Sequence, residues 1–438
     1  MPSMHTTVAP AITLAIAPAI VVGQACDPTE IFEPEVRYGA GDVPLSVAVG
    51  DLDGDGDHDL AVANPGIDTV SVLLNSGDGT FGERALYDSG DAPWSLAIGD
   101  LDGDGDADLV AANLSDSVSV RLNNGDGTFA PVALFDAGRR PLAVAIGDLD
   151  GDSDLDLVTA NRLTGDVSVL LNNGDGTFAP QVTYAVGREP RSLAIGDLDG
   201  DGDADLAVAN APDDTVSVLL GRGDGTFAGG IEYAVGEGPW SVAIGDMDSD
   251  GDADLAVASV GGLGFGNIVS VLLNDGDGIF APDVRYNVGV FPYAVALDDL
   301  DRDGDADLVT ANFSDDSVSV LLNNGDATFA PQGSYGVGNA PVSVAIGDLD
   351  GDGNPDLAVA NAGTTSDPGD TVSVLLNRCD AFACEADLDG DGELTLFDFL
   401  TFQNLFDAGD PIADFDGDGS LTIFDFLAFQ NAFDAGCP

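Results

Sequence analysis

Short apolar segments, separated by turn-forming residues, run through most of the chain. Each segment is five to seven residues long and rich in Val, Leu and Ala, and Gly, Asn and Asp flank it. In many segments apolar residues alternate with small ones, as Val70, Val72 and Leu74 do around Ser71. Segments of this length and period predict β-strands, and the small residues allow neighbouring sheets to bury both faces of a strand.

An acidic motif, Asp-Leu-Asp-Gly-Asp-Gly-Asp-x-Asp-Leu, recurs in phase with these segments. Its seven copies start at Asp51, Asp100, Asp148, Asp197, Asp246, Asp299 and Asp348, at intervals of 49, 48, 49, 49, 53 and 49 residues. Each repeat contains four strand-like segments and tight-turn signals such as Asn-Gly-Asp-Gly. Four short strands per repeat, in seven repeats, predict an all-β seven-bladed propeller. A linear solenoid is the structural alternative.

The two ends of the repeat array predict how the ring closes. The seventh repeat stops after its third strand, at Asn377. The missing fourth strand has a counterpart at the other end of the array, because residues 32–38 match residues 178–184. We therefore expect the N-terminal strand to complete the last blade, which would remove both open sheet edges.

The acidic motifs have the spacing of a cation-binding loop. Asp side chains at loop positions 1, 3, 5 and 9 bring hard oxygen atoms to one point, and position 7 offers its backbone carbonyl. Four carboxylates this close would repel one another strongly without a cation. Seven such loops at a fixed phase predict seven Ca²⁺ sites rather than solvated acidic turns, and Mg²⁺ is less favoured because it prefers fewer protein ligands. The candidate residues are Asp51, Asp53, Asp55, Asp57 and Asp59; Asp100, Asp102, Asp104, Asp106 and Asp108; Asp148, Asp150, Asp152, Asp154 and Asp156; Asp197, Asp199, Asp201, Asp203 and Asp205; Asp246, Asp248, Asp250, Asp252 and Asp254; Asp299, Asp301, Asp303, Asp305 and Asp307; and Asp348, Asp350, Asp352, Asn354 and Asp356.

These repeats resemble the FG-GAP and VCBS repeats, the blades of the integrin α-subunit head. The resemblance covers residues 31–378 and is carried by the phase of Phe-x-Pro, Gly-Asp-Leu-Asp-Gly-Asp-Gly and Asp-Leu-Ala-Val-Ala-Asn. It implies Ca²⁺ in the loop that joins the first two strands of each blade, on the lower face of the propeller. Ser153 and Arg302 each replace a Gly, in the third and sixth loops. Neither holds a ligand position, so we retain both sites.

A smaller module follows the propeller and contains two twelve-residue loops of the EF-hand type. Each loop combines acids at positions 1, 3, 5 and 12 with a carbonyl at position 7 and a hydroxyl at position 9. Position 12 is Asp rather than the bidentate Glu of signalling EF-hands, and each loop leads into a predicted helix that ends at Gly. The candidate ligands are Asp387, Asp389, Asp391, Glu393, Thr395 and Asp398 in the first loop, and Asp414, Asp416, Asp418, Ser420, Thr422 and Asp425 in the second.

This module, residues 387–438 after a linker at 379–386, resembles a dockerin. The resemblance implies two Ca²⁺ sites and docking onto a cohesin-like receptor or a related cell-surface anchor. In dockerins, loop positions 10 and 11 often carry the recognition residues, and here these are Leu396, Phe397, Ile423 and Phe424. Their apolar character fits either the core of the small module or a partner surface.

The charge of the chain narrows the classes of partner. Of 438 residues, 44% are hydrophobic, and 78 acidic side chains stand against 12 basic ones, for a net charge of −66. A surface this negative repels phosphate backbones and anionic membranes, so we expect no nucleic-acid partner. The apolar fraction excludes a disordered acidic tail. Because His58 is the one histidine outside the first 25 residues, general-base catalysis by histidine is nearly excluded.

Residues 1–25 have the pattern of a secretory signal peptide. An apolar stretch at residues 8–22 is followed by small residues before Cys26, and it is short for a membrane span. Cleavage before Cys26 is the preferred interpretation, and a lipoprotein cysteine is the alternative. We therefore expect a secreted protein, with the propeller in residues 26–378 and no membrane span.

The four cysteines predict two disulfide bonds in such an exported protein. Cys26 and Cys379 lie just beyond the ends of two strands that are expected to pair, and Cys384 and Cys437 bracket the C-terminal module. Four cysteines allow three pairings. We predict that Cys26–Cys379 locks the ring and that Cys384–Cys437 staples the module.

The connections on the opposite, upper face carry aromatic and basic residues. Trp94, Trp240 and Tyr293 share one position, just after the Pro that precedes each first strand. Five arginines fall on upper loops of the third and fourth repeats: Arg139, Arg140, Arg162, Arg188 and Arg191. A basic spot on so acidic a chain would attract a glycan or protein ligand. The alternative is that the aromatic residues plug the central channel and the arginines pair with nearby acids.

Together these features predict a secreted Ca²⁺-binding propeller that acts as a binding or adhesion module and is anchored through its C-terminal module. A tethered polysaccharide lyase or glycosidase is one alternative, and a structural surface-layer or matrix protein is another. The sequence contains no Ser-His-Asp set, His-rich metal site, P-loop or dinucleotide fingerprint. No catalytic residue is therefore assigned.

Overall fold

The protein is described here by a computed structural model that covers residues 26, 28–261, 266–364, 367–379, 396–408, 413, 422 and 426–430. The chain divides into a large unit, Cys26–Ala381, and a small unit that contains the described residues after 381. Among all described residues, no helix has the length and apolar character that a membrane span requires.

Seven sheets, each of four antiparallel strands, build the large unit and confirm the predicted seven-bladed propeller. Blade 1 contains β2 (Ser46–Gly50), β3 (Asp59–Asn64), β4 (Thr69–Leu73) and β5 (Ala85–Asp88), and blade 2 contains β6 (Pro93–Gly99), β7 (Asp108–Asn113), β8 (Ser117–Arg121) and β9 (Ala133–Asp136). Blade 3 contains β10 (Pro141–Gly147), β11 (Asp156–Asn161), β12 (Asp166–Leu170) and β13 (Val182–Ala185), and blade 4 contains β14 (Pro190–Gly196), β15 (Asp205–Asn210), β16 (Thr215–Leu219) and β17 (Ile231–Ala234), with a short 3₁₀ helix at Ala211–Asp213. Blade 5 contains β18 (Pro239–Gly245), β19 (Asp254–Ser259), β20 (Ile268–Leu272) and β21 (Val284–Asn287), and blade 6 contains β22 (Pro292–Asp298), β23 (Asp307–Asn312), β24 (Ser317–Leu321) and β25 (Gly333–Gly336). Blade 7 contains β26 (Pro341–Gly347), β27 (Asp356–Thr364), β28 (Asp367–Leu375) and the N-terminal strand β1 (Val36–Gly39).

The strands of a blade differ in burial according to their distance from the propeller centre. First strands of neighbouring blades pack against one another, as β10 does with β6 and β14. Second and third strands, such as β3 and β4, are buried along their whole length. Fourth strands such as β5 are mostly exposed. The alternation of apolar and small side chains therefore fits strands that are covered on both faces by neighbouring blades.

The N-terminal strand completes the last blade, as predicted. β1 pairs antiparallel with β28, with Val36 opposite Val374. The backbone N–H of Arg378 donates to the carbonyl oxygen of Ile31 at 2.7 Å and extends this pairing.

The predicted disulfide between Cys26 and Cys379 is present, with 5.9 Å between the two Cα atoms. A covalent bond therefore reinforces the hydrogen-bonded closure of the ring. The predicted pairing of Cys384 with Cys437 lies outside the described residues.

Within its described residues, the small unit contains one helix, α1 (Leu396–Ala408), and a helical segment at residues 426–430. Helices are predicted at these places, after each of the two acidic loops. Phe402 and Phe429 are buried and stack with 4.2 Å between ring centres. Phe399 and Phe426 meet edge to face at 5.9 Å. These phenylalanines form an aromatic core between the two helical segments.

Most of the candidate metal ligands and receptor contacts of the small unit lie outside the described residues. The loop residues Asp387, Asp389, Asp391, Glu393, Thr395, Asp414, Asp416, Asp418, Ser420 and Asp425, and the recognition candidates Ile423 and Phe424, lie outside the described residues. Leu396, Phe397 and Asp398 belong to α1, and only their backbone is described.

Candidate metal loops and ligand face

Each acidic loop joins the first and second strands of its blade, as predicted, and wraps around the Asp at position 1. In blade 1 the N–H of Gly54 donates to Oδ1 of Asp51 at 2.8 Å, and the N–H of Gly56 donates to Oδ2 at 3.1 Å. Both glycines have a left-handed backbone, with φ of +76° and +95°. Gly adopts this conformation without steric cost, which explains the Gly at positions 4 and 6.

Three loops place a larger residue where the turn favours Gly. Ser153, Ser249 and Arg302 have φ of 76°, 59° and 58°. Each costs roughly 1 kcal/mol or more of backbone strain. The loop shape survives, because the N–H of Ser153 still donates to Oδ2 of Asp148 at 3.0 Å. Ser249, at position 4 of the fifth loop, adds a third such substitution to Ser153 and Arg302.

Acidic side chains converge inside these loops. In blades 1 to 4 the converging residues occupy positions 1, 3 and 9, and in blade 5 positions 1, 3 and 5. One oxygen atom from each residue lies within 4.8 Å of the others. The groups are Asp51, Asp53 and Asp59; Asp100, Asp102 and Asp108; Asp148, Asp150 and Asp156; Asp197, Asp199 and Asp205; and Asp246, Asp248 and Asp250.

The side chain at position 7 lies elsewhere in the loop. In blade 1 the carboxylate of Asp57 packs against Gly77 in the turn between β4 and β5, where an added Cβ would lie 2.4 Å from an Asp57 oxygen. The same contact joins Asp106 to Gly125. Position 7 therefore contributes packing through its side chain, which leaves its backbone carbonyl for the ligand role that the sequence predicts.

The Asp at position 9 ties the loop to the end of the third strand. Oδ2 of Asp59 accepts from the N–H of Leu52 at 2.9 Å, and Oδ1 accepts from the N–H of Asn75 at 2.7 Å. Burial raises the pKa of this carboxyl, the two hydrogen bonds oppose the rise, and the charges of Asp53 and Asp55 add to it. The pKa is about 6 for Asp59, Asp108, Asp156 and Asp254, about 7 for Asp356 and about 8 for Asp307.

The Asp at position 3 carries a buried oxygen without a hydrogen-bond partner in six of the seven blades. These atoms are Oδ1 of Asp102, Asp150, Asp199, Asp248, Asp301 and Asp350. Leaving a charged oxygen buried and unpaired is costly. Its recurrence at one loop position, beside other carboxylates, fits the oxygen-rich environment that a hard divalent cation needs.

An arginine from the end of the repeat array bonds two carboxylates of the seventh loop. Nη1 of Arg378 donates to Oδ2 of Asp350 at 2.6 Å and to Oδ2 of Asp352 at 3.3 Å. Its Nε donates to Glu33 at 3.0 Å. Arg378 follows β28, the third strand of blade 7, so it connects this loop to the closing segment of the ring.

Asparagine side chains, which the repeat pattern did not single out, link six of the seven loops to the next blade. Nδ2 of Asn123 in blade 2 donates to the carbonyl oxygen of Leu52 in the loop of blade 1 at 2.9 Å. Equivalent bonds are made by Asn75, Asn172, Asn274, Asn323 and Asn377. Blade 4 has Gly221 at this position. The acidic loops are therefore joints between adjacent blades.

The raised pKa values predict opposite pH responses with and without metal. The folded protein binds protons on the position-9 carboxyls more readily than the unfolded chain does. Stability of the metal-free protein should therefore rise as the pH falls from 8 to 5.5. With metal bound, the same protons compete with the cation and stability should fall. We expect Tm to rise by about 5 °C or more in metal-free protein and to fall in saturating Ca²⁺. Circular dichroism melts test this, and parallel responses in both states would contradict it.

On the upper face, the structure brings some of the predicted residues together. The guanidinium carbon of Arg191 lies 4.2 Å from the centre of the Trp240 ring, and the Tyr293 ring centre lies 4.5 Å from that of Trp240. Oε2 of Glu189 accepts from Arg162 at 2.9 Å and from Arg191 at 3.1 Å. Burial raises the pKa of Tyr293 to about 12. The expectation that the arginines pair with nearby acids is therefore met in part.

The other predicted upper-face residues have separate surroundings. Nε of Arg188 donates to Oδ1 of Asp213 at 2.6 Å. Trp94 is half-buried at the start of β6, and Arg139 is exposed between β9 and β10. Phe291 and Phe313, which the sequence analysis missed, stack on Tyr293 at 5.7 and 5.6 Å. Neither Phe lies at the position, just after the opening Pro, that the two tryptophans share. The repeat pattern therefore did not indicate that these residues belong to the upper-face group.

A family model of the FG-GAP-like repeat matches residues 51–111, 100–159, 148–208, 197–257 and 299–359. Together these segments cover more than half of the chain. The chain belongs to the FG-GAP-like repeat family. Each matched FG-GAP-like segment begins at one acidic loop and ends in the second strand of the next blade. The matches stop at residue 359, so they do not extend to the C-terminal module. No curated protein matches the sequence significantly.

Two solved structures share the propeller fold of this FG-GAP-like chain. A crystal structure of BBS1N in complex with ARL6DN matches with a TM-score of 0.57 and 13% identity, over 80% of this chain and 98% of that chain. Virginiamycin B lyase from Staphylococcus aureus matches with a TM-score of 0.54 and 11% identity, over 78% and 99%. At these identities the likeness shows the fold alone.

Proposed function

We propose that this FG-GAP-like protein is a secreted binding or adhesion module whose propeller holds Ca²⁺ in its acidic loops. The observation that carries the metal proposal is the recurring buried, unpartnered oxygen at loop position 3, as in Asp102 and Asp301. Position-1 and position-9 carboxylates lie beside it in blades 2 to 4. An all-oxygen site with several carboxylates and a carbonyl favours Ca²⁺ over softer cations or Mg²⁺.

The proposed metal has a structural role, and the loop geometry supports it. Each loop bonds internally through its position-1 Asp, and six of the seven bond the next blade through an Asn such as Asn123. A cation would offset the repulsion among the converging carboxylates and hold this joint in one shape. Seven stiffened joints would give a rigid platform, which suits a protein that binds through loops on its other face.

We propose that the C-terminal module anchors the propeller, as dockerins do on cohesin-like receptors. The helical segments that follow the two predicted loops support this reading, and so does the aromatic contact between Phe402 and Phe429. Two Ca²⁺ ions would bind in the module. Leu396, Phe397, Ile423 and Phe424 remain the candidate receptor contacts.

Replacing one position-3 Asp tests the metal proposal. We expect Asp102→Ala to bind one Ca²⁺ fewer than wild type and to lose about 2–3 kcal/mol of stability in saturating Ca²⁺, since one site contributes about 2.7 kcal/mol at 100 times its Kd. Asp136→Ala, an exposed residue on the outer strand of the same blade, is the matched control with the same charge change. Atomic emission analysis counts the bound ions. An unchanged ion count in Asp102→Ala would refute the assignment.

A glycan array with and without chelator tests the binding role. Glycan capture that chelator abolishes supports a calcium-dependent binding module. Release of cleaved saccharide would favour the enzyme alternative. If the calcium-loaded, folded protein neither captures a glycan nor releases cleaved saccharide, a structural matrix component would be favoured.

A further inference from the structure

A group of cationic and aromatic side chains lies at the upper ends of the inner strands of blades 3 to 6. We propose that this group binds a saccharide unit that carries a single carboxylate. The proposal rests on the proposed function of the propeller as a binding module and specifies its ligand. The group, called the Arg–Trp cluster, comprises Arg140, Arg162, Glu189, Arg191, Trp240, Phe291, Tyr293 and Phe313.

The cluster is locally positive on a strongly negative chain. Arg162 and Arg191 share one acidic partner, Glu189, through the same oxygen atom. Burial lowers the pKa of Arg191, the charges of Arg162 and Arg140 lower it further, and Glu189 opposes them. Two guanidinium groups thus share one carboxylate, and the charge of Arg140 lies near enough to act on Arg191. The backbone N–H of Arg140 donates to a further carboxylate, that of Asp116, at 2.8 Å. The remaining excess of positive charge would attract an anion.

The guanidinium of Arg191 is held in place and shielded from water. Its side chain is 12% exposed and stacks on the Trp240 ring. Its Nε atom is buried and has no hydrogen-bond partner. A planar guanidinium fixed in this way loses little freedom when it binds a carboxylate, and reduced solvation strengthens the charge-assisted bond.

The residue before the Pro that opens each first strand has a left-handed backbone in every blade. The cluster places Arg140, Glu189 and Phe291 there, with φ of 52°, 45° and 64°. Blades 2 and 7 place Ala at this position, blade 5 places Gly238, and blade 1 places Val43 with φ of 59°. The left-handed residue is therefore a feature of the repeat, and three blades use it to carry side chains of the cluster.

The aromatic part of the cluster favours a saccharide over a charged polymer. Trp240, Tyr293, Phe291 and Phe313 form a continuous series of ring contacts, with centre distances between 4.5 and 5.7 Å. All four are half-buried, so each keeps some exposed surface. A pyranose ring offers an apolar face to such a surface and, as a uronic acid, one carboxylate to the arginines. An acidic peptide or nucleic acid would add many charges that a chain of net charge −66 repels.

Isothermal titration of the full-length, Ca²⁺-loaded protein with a hyaluronan hexasaccharide tests the proposal, because this probe alternates glucuronate with a neutral sugar. We expect sub-millimolar binding, weakened about tenfold or more by Arg162→Ala. Arg191→Lys, which keeps the charge but loses the planar fork, should also weaken binding. Arg188→Ala is the matched control and should bind as wild type does, because Arg188 pairs with Asp213 instead. The carboxyl-methylated hexasaccharide should bind at least about tenfold more weakly to wild type.

Any one of four results would overturn the proposal. The first two are that the wild-type protein fails to bind the hexasaccharide at about 2 mM, or that it binds the methyl ester as tightly as the unmodified probe. The other two are that Arg162→Ala binds the hexasaccharide as tightly as wild type does, or that wild type binds a hexaglutamate peptide more tightly than the hexasaccharide. The ion count and melting temperature are measured on the same samples. If the protein binds Ca²⁺ and captures only neutral glycans, the proposed function stands and only the carboxylate-bearing ligand is refuted. If the folded wild type contains no metal, the Ca²⁺ proposal itself is refuted.

Discussion

Removing Ca²⁺ is expected to lower the Tm of the propeller by about 20 °C or more. The physical reason is that each bound ion stabilises the folded state, and the contributions of the seven sites add. At about 100 times Kd each site contributes about 2.7 kcal/mol, and seven such sites together exceed the 5–15 kcal/mol of a typical domain. Without the cation, the converging carboxylates of residues such as Asp148, Asp150 and Asp156 also repel one another inside each joint between blades. Calorimetry on dialysed protein, with and without added Ca²⁺, measures the effect.

Two controls separate ligand binding from simple charge screening. Sodium chloride at matched ionic strength would stabilise the metal-free protein if general repulsion among surface acids were the whole cause. Mg²⁺ at equal concentration tests whether the loops favour the larger cation. We expect both to restore much less than half of the Tm loss. An unchanged melt after chelation, with ion analysis confirming that the metal is gone, would refute the calcium role.

The sequence predicted the architecture well because the relevant information repeats locally. Strand segments, turns and acidic loops recur with one phase, so each copy supports the assignment of the others. The closing strand and the Cys26–Cys379 bond followed from the ends of that pattern. The role of position 9 as a metal ligand stays a prediction. The structure adds a second role for this residue, because the buried carboxylate of Asp59 bonds the amides of Leu52 and Asn75.

Contacts between blades were harder to predict, because they depend on how neighbouring repeats are rotated relative to one another. The bond from Asn123 to Leu52 joins residues 71 positions apart. The pairing of Arg162 with Glu189 likewise joins blade 3 to blade 4. Contacts between distant segments of one blade were equally hidden, such as Arg378 with Asp350 in blade 7 and Phe313 with Tyr293 in blade 6. These side chains carry no local signal, and only the packed propeller shows which of them meet.

Removing the disulfide that closes the ring should have the second-largest effect. Cys26 and Cys379 are 353 residues apart in sequence. In the chain-entropy model, a cross-link that closes so long a loop stabilises the folded state by roughly 5–6 kcal/mol. For a propeller of this size that corresponds to a Tm loss of about 5–8 °C. We therefore expect the double variant Cys26→Ser/Cys379→Ser to melt that much earlier in saturating Ca²⁺, and its N-terminal strand to be cleaved faster by protease.

Arg378→Ala is the matched control for the disulfide variant. Arg378 bonds Glu33 and Asp350 at the same closure, but its side chain is 43% exposed. An exposed ion pair contributes only about 0.2–1 kcal/mol. Hydrogen bonds between β1 and β28 remain in both variants, so the difference between them isolates the covalent link. If the double serine variant melted and resisted protease as Arg378→Ala does, the strand pairing alone would close the ring and the disulfide would have no stabilising role.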